Sequence, residues 1–310
     1  MPVALVVMTA GAGLTSLSLA SGAAPPRAIT AAAPVTGLAA DGQLVGFAVG
    51  RRGRDCFRVE LWNRTTGSVK RLGKPRPCGP KTSTGQGLVG PVIAANRALW
   101  LTYTGGNIRE WMLWTATTTR RTPRRLAFVA RDVDSPPPIV LGAGDSEILP
   151  YAVDRRVVAL RAGGARRFTW TAPARVVALA ANAGELAAAV ETGDVYLLDR
   201  NGVVLYRASL LPRVDAVALG GTRLVIQGGR RLVLRRNADQ YSSWTLPSGA
   251  RLVDADGETA LYVAGSAVHA FRLDTGADSV ARRTVGQALA QLEGRTLVVA
   301  SGRRIAASRL

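Results

Sequence analysis

His269 is the one histidine among 310 residues, and that scarcity decides much of the chemistry on offer. A hydrolytic triad needs a base between a nucleophile and a carboxylate. This imidazole, set between Val268 and Ala270 in an apolar run, reads as a packed or edge residue instead. Structural zinc takes four Cys or His ligands, and besides His269 the chain supplies only Cys56 and Cys78. Asp132, Asp134 and Ser135 place oxygen donors at alternate positions, which suits a hard cation, but no glycine bend or distal bidentate Glu completes a loop. The acidic stretch Asp254-Ala255-Asp256-Gly257-Glu258 is explained by a hairpin turn. No metal and no cofactor is therefore expected. Glu185, Asp215, Asp254 and Glu293 are the carboxylates a central cleft would gather. Polysaccharide hydrolysis or lysis through such a pair is the alternative reading.

Arginine is the abundant functional type. Lys and Arg number 40 against 21 Asp and Glu, a net charge of +19, and only Lys70, Lys74 and Lys81 are lysines. A high-GC coding preference produces such a bias by itself; placement is the stronger signal. Arg51, Arg52 and Arg54, then Arg109, Arg155 and Arg156, Arg230 and Arg231, and Arg303 and Arg304 fall in turns that recur along the chain. Arginine offers a planar, permanently charged fork for carboxylate or phosphate. A ring of such forks would attract an acidic protein or an anionic cell-surface polymer. No aromatic residues interleave the basic turns, which argues against nucleic acid. The competing reading is that arginines at strand ends are solvated residues that discourage edge pairing.

The elements that would position these residues repeat. Residues 176–210 read VVALAANAGELAAAVETGDVYLLDRNGVVLYRASL, four apolar or alternating runs separated by Asn-Ala-Gly, Glu-Thr-Gly-Asp and Arg-Asn-Gly. Four strands and three tight turns in so short a span describe one blade of a β-propeller. The leucine after the first turn, Leu186, is followed by Leu224, Leu261 and Leu297 at steps of 38, 37 and 36 residues. Ile148, Leu99 and Leu44 precede it at steps of 38, 49 and 55. Seven units follow. The last supplies three strands before Leu310, so the segment 27–33 is expected to complete that blade, since an open edge invites aggregation. In the second unit Trp100 and Trp114 fall on neighbouring strands and, with Trp111, read as core filler rather than a sugar platform.

Gly193-Asp194-Val195-Tyr196-Leu197-Leu198-Asp199-Arg200-Asn201-Gly202, Leu261-Tyr262-Val263-Ala264-Gly265 and Phe271-Arg272-Leu273-Asp274-Thr275-Gly276 share a strand, Asp, turn, Gly pattern. At repeat level the chain resembles secreted bacterial β-propeller proteins of the WD-repeat-like and quinoprotein-like classes. The resemblance implies an all-β, seven-bladed propeller. It implies no activity, because such folds carry enzymes and passive platforms alike. The Gly-His and Trp-Asp pairs of WD repeats, the adjacent cysteines of some quinoproteins and the Ser-x-Asp-x-Gly-x-Thr-Trp box of sialidases are absent.

Residues 3–24 carry no charge and end in small residues before Pro25-Pro26-Arg27, the pattern of a secretory signal cleaved near Ala23 or Ala24. Residues 25–310 then form a single domain. Left uncleaved, the segment would be the one contact with a membrane. Cys56 and Cys78 read as a disulfide in an exported chain, contributing roughly 3 kcal/mol by loop closure. Asn63-Arg64-Thr65 matches a glycosylation pattern but reads as a turn. The expectation is a secreted or cell-surface monomer with no catalytic residues, a binding or scaffold propeller.

Overall fold

The computed structural model describes residues 27–50, 56–74, 85–221, 223–237 and 240–310. The expected signal segment, Arg51, Arg52, Arg54 and Cys78 lie outside them. Among the described residues the chain forms 28 strands in seven four-stranded antiparallel sheets, with no helix. Blade 1 spans residues 35–71, blade 2 86–132, blade 3 139–171, blade 4 176–208, blade 5 216–245 and blade 6 251–283. Blade 7 takes three strands from residues 288–309 and its fourth, Ala28–Thr30, from the other end of the chain. That strand pairs Ala28 with Ala306, Ile29 with Ile305 and Thr30 with Arg304. The expected closure by segment 27–33 is therefore present, in three residues rather than seven.

The hairpins joining first to second strands turn on residues of positive φ, such as Gly42 at 54° and Gly294 at 56°. Such turns match the right-handed twist of the strands they connect. The seven apolar clusters of the core lie between blades, one at each junction around the ring. Trp62, Phe47 and Val45 meet Val298 and Ile305 where blade 7 abuts blade 1. Leu186 and Tyr196 meet Ile148 and Phe168 between blades 3 and 4. Near the hub neighbouring sheets approach closely enough to demand small residues: a Cβ on Gly37 of blade 1 would stand 1.6 Å from the Gly90 carbonyl oxygen of blade 2.

All seven repeat anchors lie on second strands, but only three share a register. Leu186, Leu224 and Leu297 directly follow the residue paired across the first turn and face the preceding blade. Leu99 and Leu261 sit one residue later and face the following blade; their true equivalents are Ala98 and Ala260. Leu44 and Ile148 come one residue early. A one-residue slip flips a side chain to the other face. Here both faces of the strand are buried, so leucine suits either and sequence spacing cannot distinguish them. Trp100 does oppose Trp114, and both lie in the core between blades 1 and 2, with Trp111 in the next.

Candidate functional site

Alternation of strand direction sends the turns between second and third strands to one face of the disc, together with the connectors between blades. Arg155, Arg230 and Arg303 hold equivalent places there in blades 3, 5 and 7. In each case the arginine carbonyl accepts from the residue that follows the fourth strand, and the arginine Nε donates to that residue's carbonyl. Ala172 N donates to Arg155 O at 2.8 Å and Arg155 Nε to Ala172 O at 2.8 Å. Leu246 answers Arg230 at 2.7 and 3.0 Å, and Ala31 answers Arg303 at 2.7 and 2.9 Å. This reciprocal clasp ties each turn to its blade's exit while the three arginines, and Arg156, Arg231 and Arg304 beside them, remain exposed.

Other blades close the same corner differently. In blade 6 the Ser266 carbonyl accepts both the backbone and the hydroxyl of Thr284, each at 2.9 Å. In blade 4 Asp194 accepts from Ser209, from Thr192 Oγ1 at 3.1 Å and from Arg207 Nη2 at 3.2 Å. The Ser209 bond, helped by Arg207 and Thr192 and opposed by burial, holds its carboxyl below the usual range. Arg109 does not share the turn position. It lies inside the third strand of blade 2, opposite Gly105, with its guanidinium 4.9 Å from the Tyr103 ring and 5.9 Å from that of Trp111. Carboxylates also reach this face, in ion pairs of Arg131 with Asp154 at 2.5 Å, Arg175 with Glu191 at 3.0 Å and Arg213 with Asp215 at 2.8 Å.

The opposite mouth of the channel is acidic. Asp41, Asp145, Asp254, Asp256 and Glu293 line a cavity of about 280 Å³. Most of these groups accept from the next blade's backbone. Glu293 accepts Gly42 N–H, Asp41 accepts Ala95 N–H, and Asp145 Oδ2 accepts Gly184 N–H at 2.8 Å. Asp254 Oδ2 accepts Leu292 N–H at 2.7 Å and Gln291 Nε2 at 2.6 Å. Asn182 Nδ2 donates to Leu219 O at 3.0 Å; at the other end of the channel, beside Asp215, Gln227 bridges Ala250 O and Leu252 N–H. Burial pushes the Asp254 carboxyl up to about 7 and, with the charge of Glu293, that of Asp41 up to about 6. Glu293 rises through burial and the charge of Asp256.

Of the four carboxylates picked from the sequence, Asp254 and Glu293 share this mouth. Asp215 lies at the other end, where its Oδ2 accepts Gly229 N–H at 2.6 Å. Glu185 opens the second strand of blade 4, paired with Asn182. Asp215 and Glu185 therefore do not join the pair at this mouth. Asp41, Asp145, Gln227 and Gln291 were missed, although Asp41-Gly42, Asp256-Gly257 and Glu293-Gly294 repeat one turn signature. His269 lies within blade 6, stacked on Tyr262 at 4.5 Å and in hydrogen-bond reach of its hydroxyl at 3.0 Å. Asp278 accepts the Tyr262 proton at 2.5 Å and lies 3.1 Å from His269 Nδ1. Asp132 and Asp134 are exposed at a plain turn. Among the described residues no group of three or more His, Cys, Asp or Glu is arranged to hold a metal.

Likeness to known proteins lies in shape. No protein-family model matches the sequence, and no curated protein matches it. A chain in the crystal structure of the Mitotic Checkpoint Complex superimposes with a TM-score of 0.61 over 100% of this chain and 99% of its own, at 15% identity. Sqt1 of Saccharomyces cerevisiae gives 0.54 over 92% and 98% at 10% identity. BamB from Moraxella catarrhalis gives 0.54 over 89% and 85% at 14% identity. The chain shares the propeller fold of these proteins, as the repeat-level resemblance implied.

Proposed function

We propose that the protein is an exported, non-catalytic binding or scaffold propeller whose Arg-bearing face docks an anionic ligand or an acidic partner protein. The observation that carries this reading is the clasp repeated in blades 3, 5 and 7. Each clasped arginine has its stem fixed through Nε to the backbone and its side chain exposed, so less rotamer freedom is lost when the fork meets an anion. The carboxylates at the other mouth serve as acceptors between blades, which supports binding over hydrolysis. Export is argued from the uncharged run at residues 3–24; the disulfide proposed between Cys56 and Cys78 would fit it, and labelling of both thiols without prior reduction would refute that pairing.

The test is binding of the purified chain to anionic polymers and acidic proteins at low salt and near 0.15 M salt, where exposed charges are screened beyond about 8 Å. A variant carrying Arg156→Glu, Arg231→Glu and Arg304→Glu leaves the clasps intact. It is expected to lose affinity at least about tenfold, since a charge-assisted bond contributes about 1.5–3 kcal/mol, with an unchanged thermal midpoint. Full affinity in this variant would return the arginines to the role of solvated strand ends.

A further inference from the structure

The net positive charge is not spread evenly, and its centre is not the arginine-bearing face. Residues 61–131 hold thirteen Lys and Arg against Glu110 alone among acidic residues, which is +12 of the chain's +19. These residues belong largely to blades 1 and 2. The turns between third and fourth strands there lie on the face opposite the clasped arginines. Elsewhere on that face the cations have acidic company: Arg167 pairs with Glu147 at 2.8 Å, Arg223 with Glu258 at 3.0 Å and Arg272 with Asp274 at 2.7 Å. The turns themselves differ too. Blade 4 braces this turn with a carboxylate, as Asp199 Oδ1 accepts Asn201 and Val203 N–H, and Asp274 does the same for Thr275 N–H in blade 6. Blades 1 and 2 use neutral groups, Asn63 Oδ1 for Thr65 and Thr66 N–H and Thr117 Oγ1 for Arg120 N–H.

The corner where these two blades meet is built. The chain leaving blade 1 turns at Gly73, at a φ of 82°, and Gly73 N–H donates to Arg121 O of blade 2 at 2.8 Å. A Cβ on Gly73 would stand 2.9 Å from Pro123 Cγ, so glycine permits the contact. Arg71 Nη2 donates to Lys74 O at 3.2 Å, and Arg121 N–H to Thr117 O at 3.0 Å. Above this floor lies a cavity of about 500 Å³, within the range of small-molecule sites. Arg71, Lys74, Arg120 and Arg121 line it with Thr122 and Pro123, and among the described residues no carboxylate does. Lys70, Arg124 and Arg125 flank it on the outer strands. Crowding is felt nearby: burial, then the charge of Arg124, lowers the pKa of Arg97, which is braced against Ala162 O and Gly163 O of blade 3.

We infer that this corner is a second anion site, separate from the clasped arginines, for a compact oligophosphate. Four cations around one cavity call for several negative charges within a few ångströms. Adjoining phosphate groups supply that density, whereas a carboxylate polymer spaces single charges along its sugar rings. Three arginines supply forks for pairs of phosphate oxygens and Lys74 a point charge.

Calorimetric titration of the full chain with inorganic tripolyphosphate, inorganic phosphate and polygalacturonate at about 0.05 M salt tests this. Two variants of equal charge are compared, Lys74→Gln with Arg120→Gln, and Arg156→Gln with Arg231→Gln. All four residues are exposed, and thermal midpoints check that both variants fold. Tripolyphosphate is expected to bind in a saturable one-to-one complex, more tightly than either other probe. Its affinity should drop at least about tenfold in the first pair and less than about twofold in the second. Equal losses in both pairs would reduce the corner to diffuse charge, and no loss in the first would remove it as a site. Tighter binding of polygalacturonate through the same residues would overturn the phosphate assignment. The clasped face stands or falls separately, on the Arg156, Arg231 and Arg304 variant.

Discussion

The two ends of the channel are both charged and both patterned by the blades, yet the charges differ in what they bond. At the acidic mouth Asp41, Asp145, Asp254 and Glu293 reach across a junction to a backbone N–H of the next blade. At the arginine-bearing face Arg155, Arg230 and Arg303 bond within their own blade and stay exposed. The first arrangement closes a ring. The second stiffens a turn and leaves a charged group facing solvent. A charged residue at a strand end thus indicates a site only after its own bonds have been counted.

Breaking the first arrangement should have the largest effect. Asp254→Ala would strip Leu292 N–H, Ala255 N–H and Gln291 of an acceptor inside the protein. Each buried donor left unpaired costs about 1–3 kcal/mol, so denaturant unfolding should show a loss of about 3 kcal/mol or more. Asp254→Asn, which keeps one acceptor oxygen, should lose clearly less. A loss below about 1 kcal/mol for the alanine variant would show that the junctions do not depend on these acceptors.

The same carboxylate gives the acidic mouth a pH dependence that the arginines lack. In the unfolded chain Asp254 titrates near 3.8 and in the fold at about 7, and Asp41 likewise moves to about 6. Between about pH 4 and pH 7 the folded state therefore holds more protons, and stability falls as pH rises. The thermal midpoint should accordingly be higher at pH 5 than at pH 8 at fixed salt. Below pH 4 the order reverses, because Asp194 and Asp274, held below their usual range, lose their contribution once protonated. Asp254→Asn should remove much of the slope between pH 5 and pH 8; an unchanged slope would place its origin elsewhere.

Architecture was legible in the sequence because turn residues punctuate it. Asp41-Gly42, Asn182-Ala183-Gly184 and Glu293-Gly294 mark the first hairpins, and the missing strand after Arg309 pointed to the segment that supplies it. Register was less legible, since Leu99 and Leu261 meet an apolar neighbour on whichever face they present. The carboxylate bonds between blades were hidden for a different reason. Asp254 and Leu292 lie 38 positions apart and meet only because successive blades bring equivalent turns together. The basic corner between blades 1 and 2 was countable, since residues 61–131 contain one acidic residue. Its geometry was not, because the side-by-side placement of residues 71–74 and 120–123 follows from the ring.

The finest distinction concerns the clasps. Replacing Arg155, Arg230 and Arg303 by lysine keeps every charge and removes every Nε donor. If the clasp matters, each change should cost about 1 kcal/mol, the usual net contribution of a hydrogen bond. The three should add, because they sit in separate blades without shared partners. Affinity for the anionic ligand should fall as well, though less than in the Arg156, Arg231 and Arg304 glutamate variant, because a free lysine stem must be ordered on binding. Stability lost with affinity intact would make the clasp a structural device alone. Affinity lost with stability intact would make these arginines direct ligands, whose planar fork lysine cannot supply.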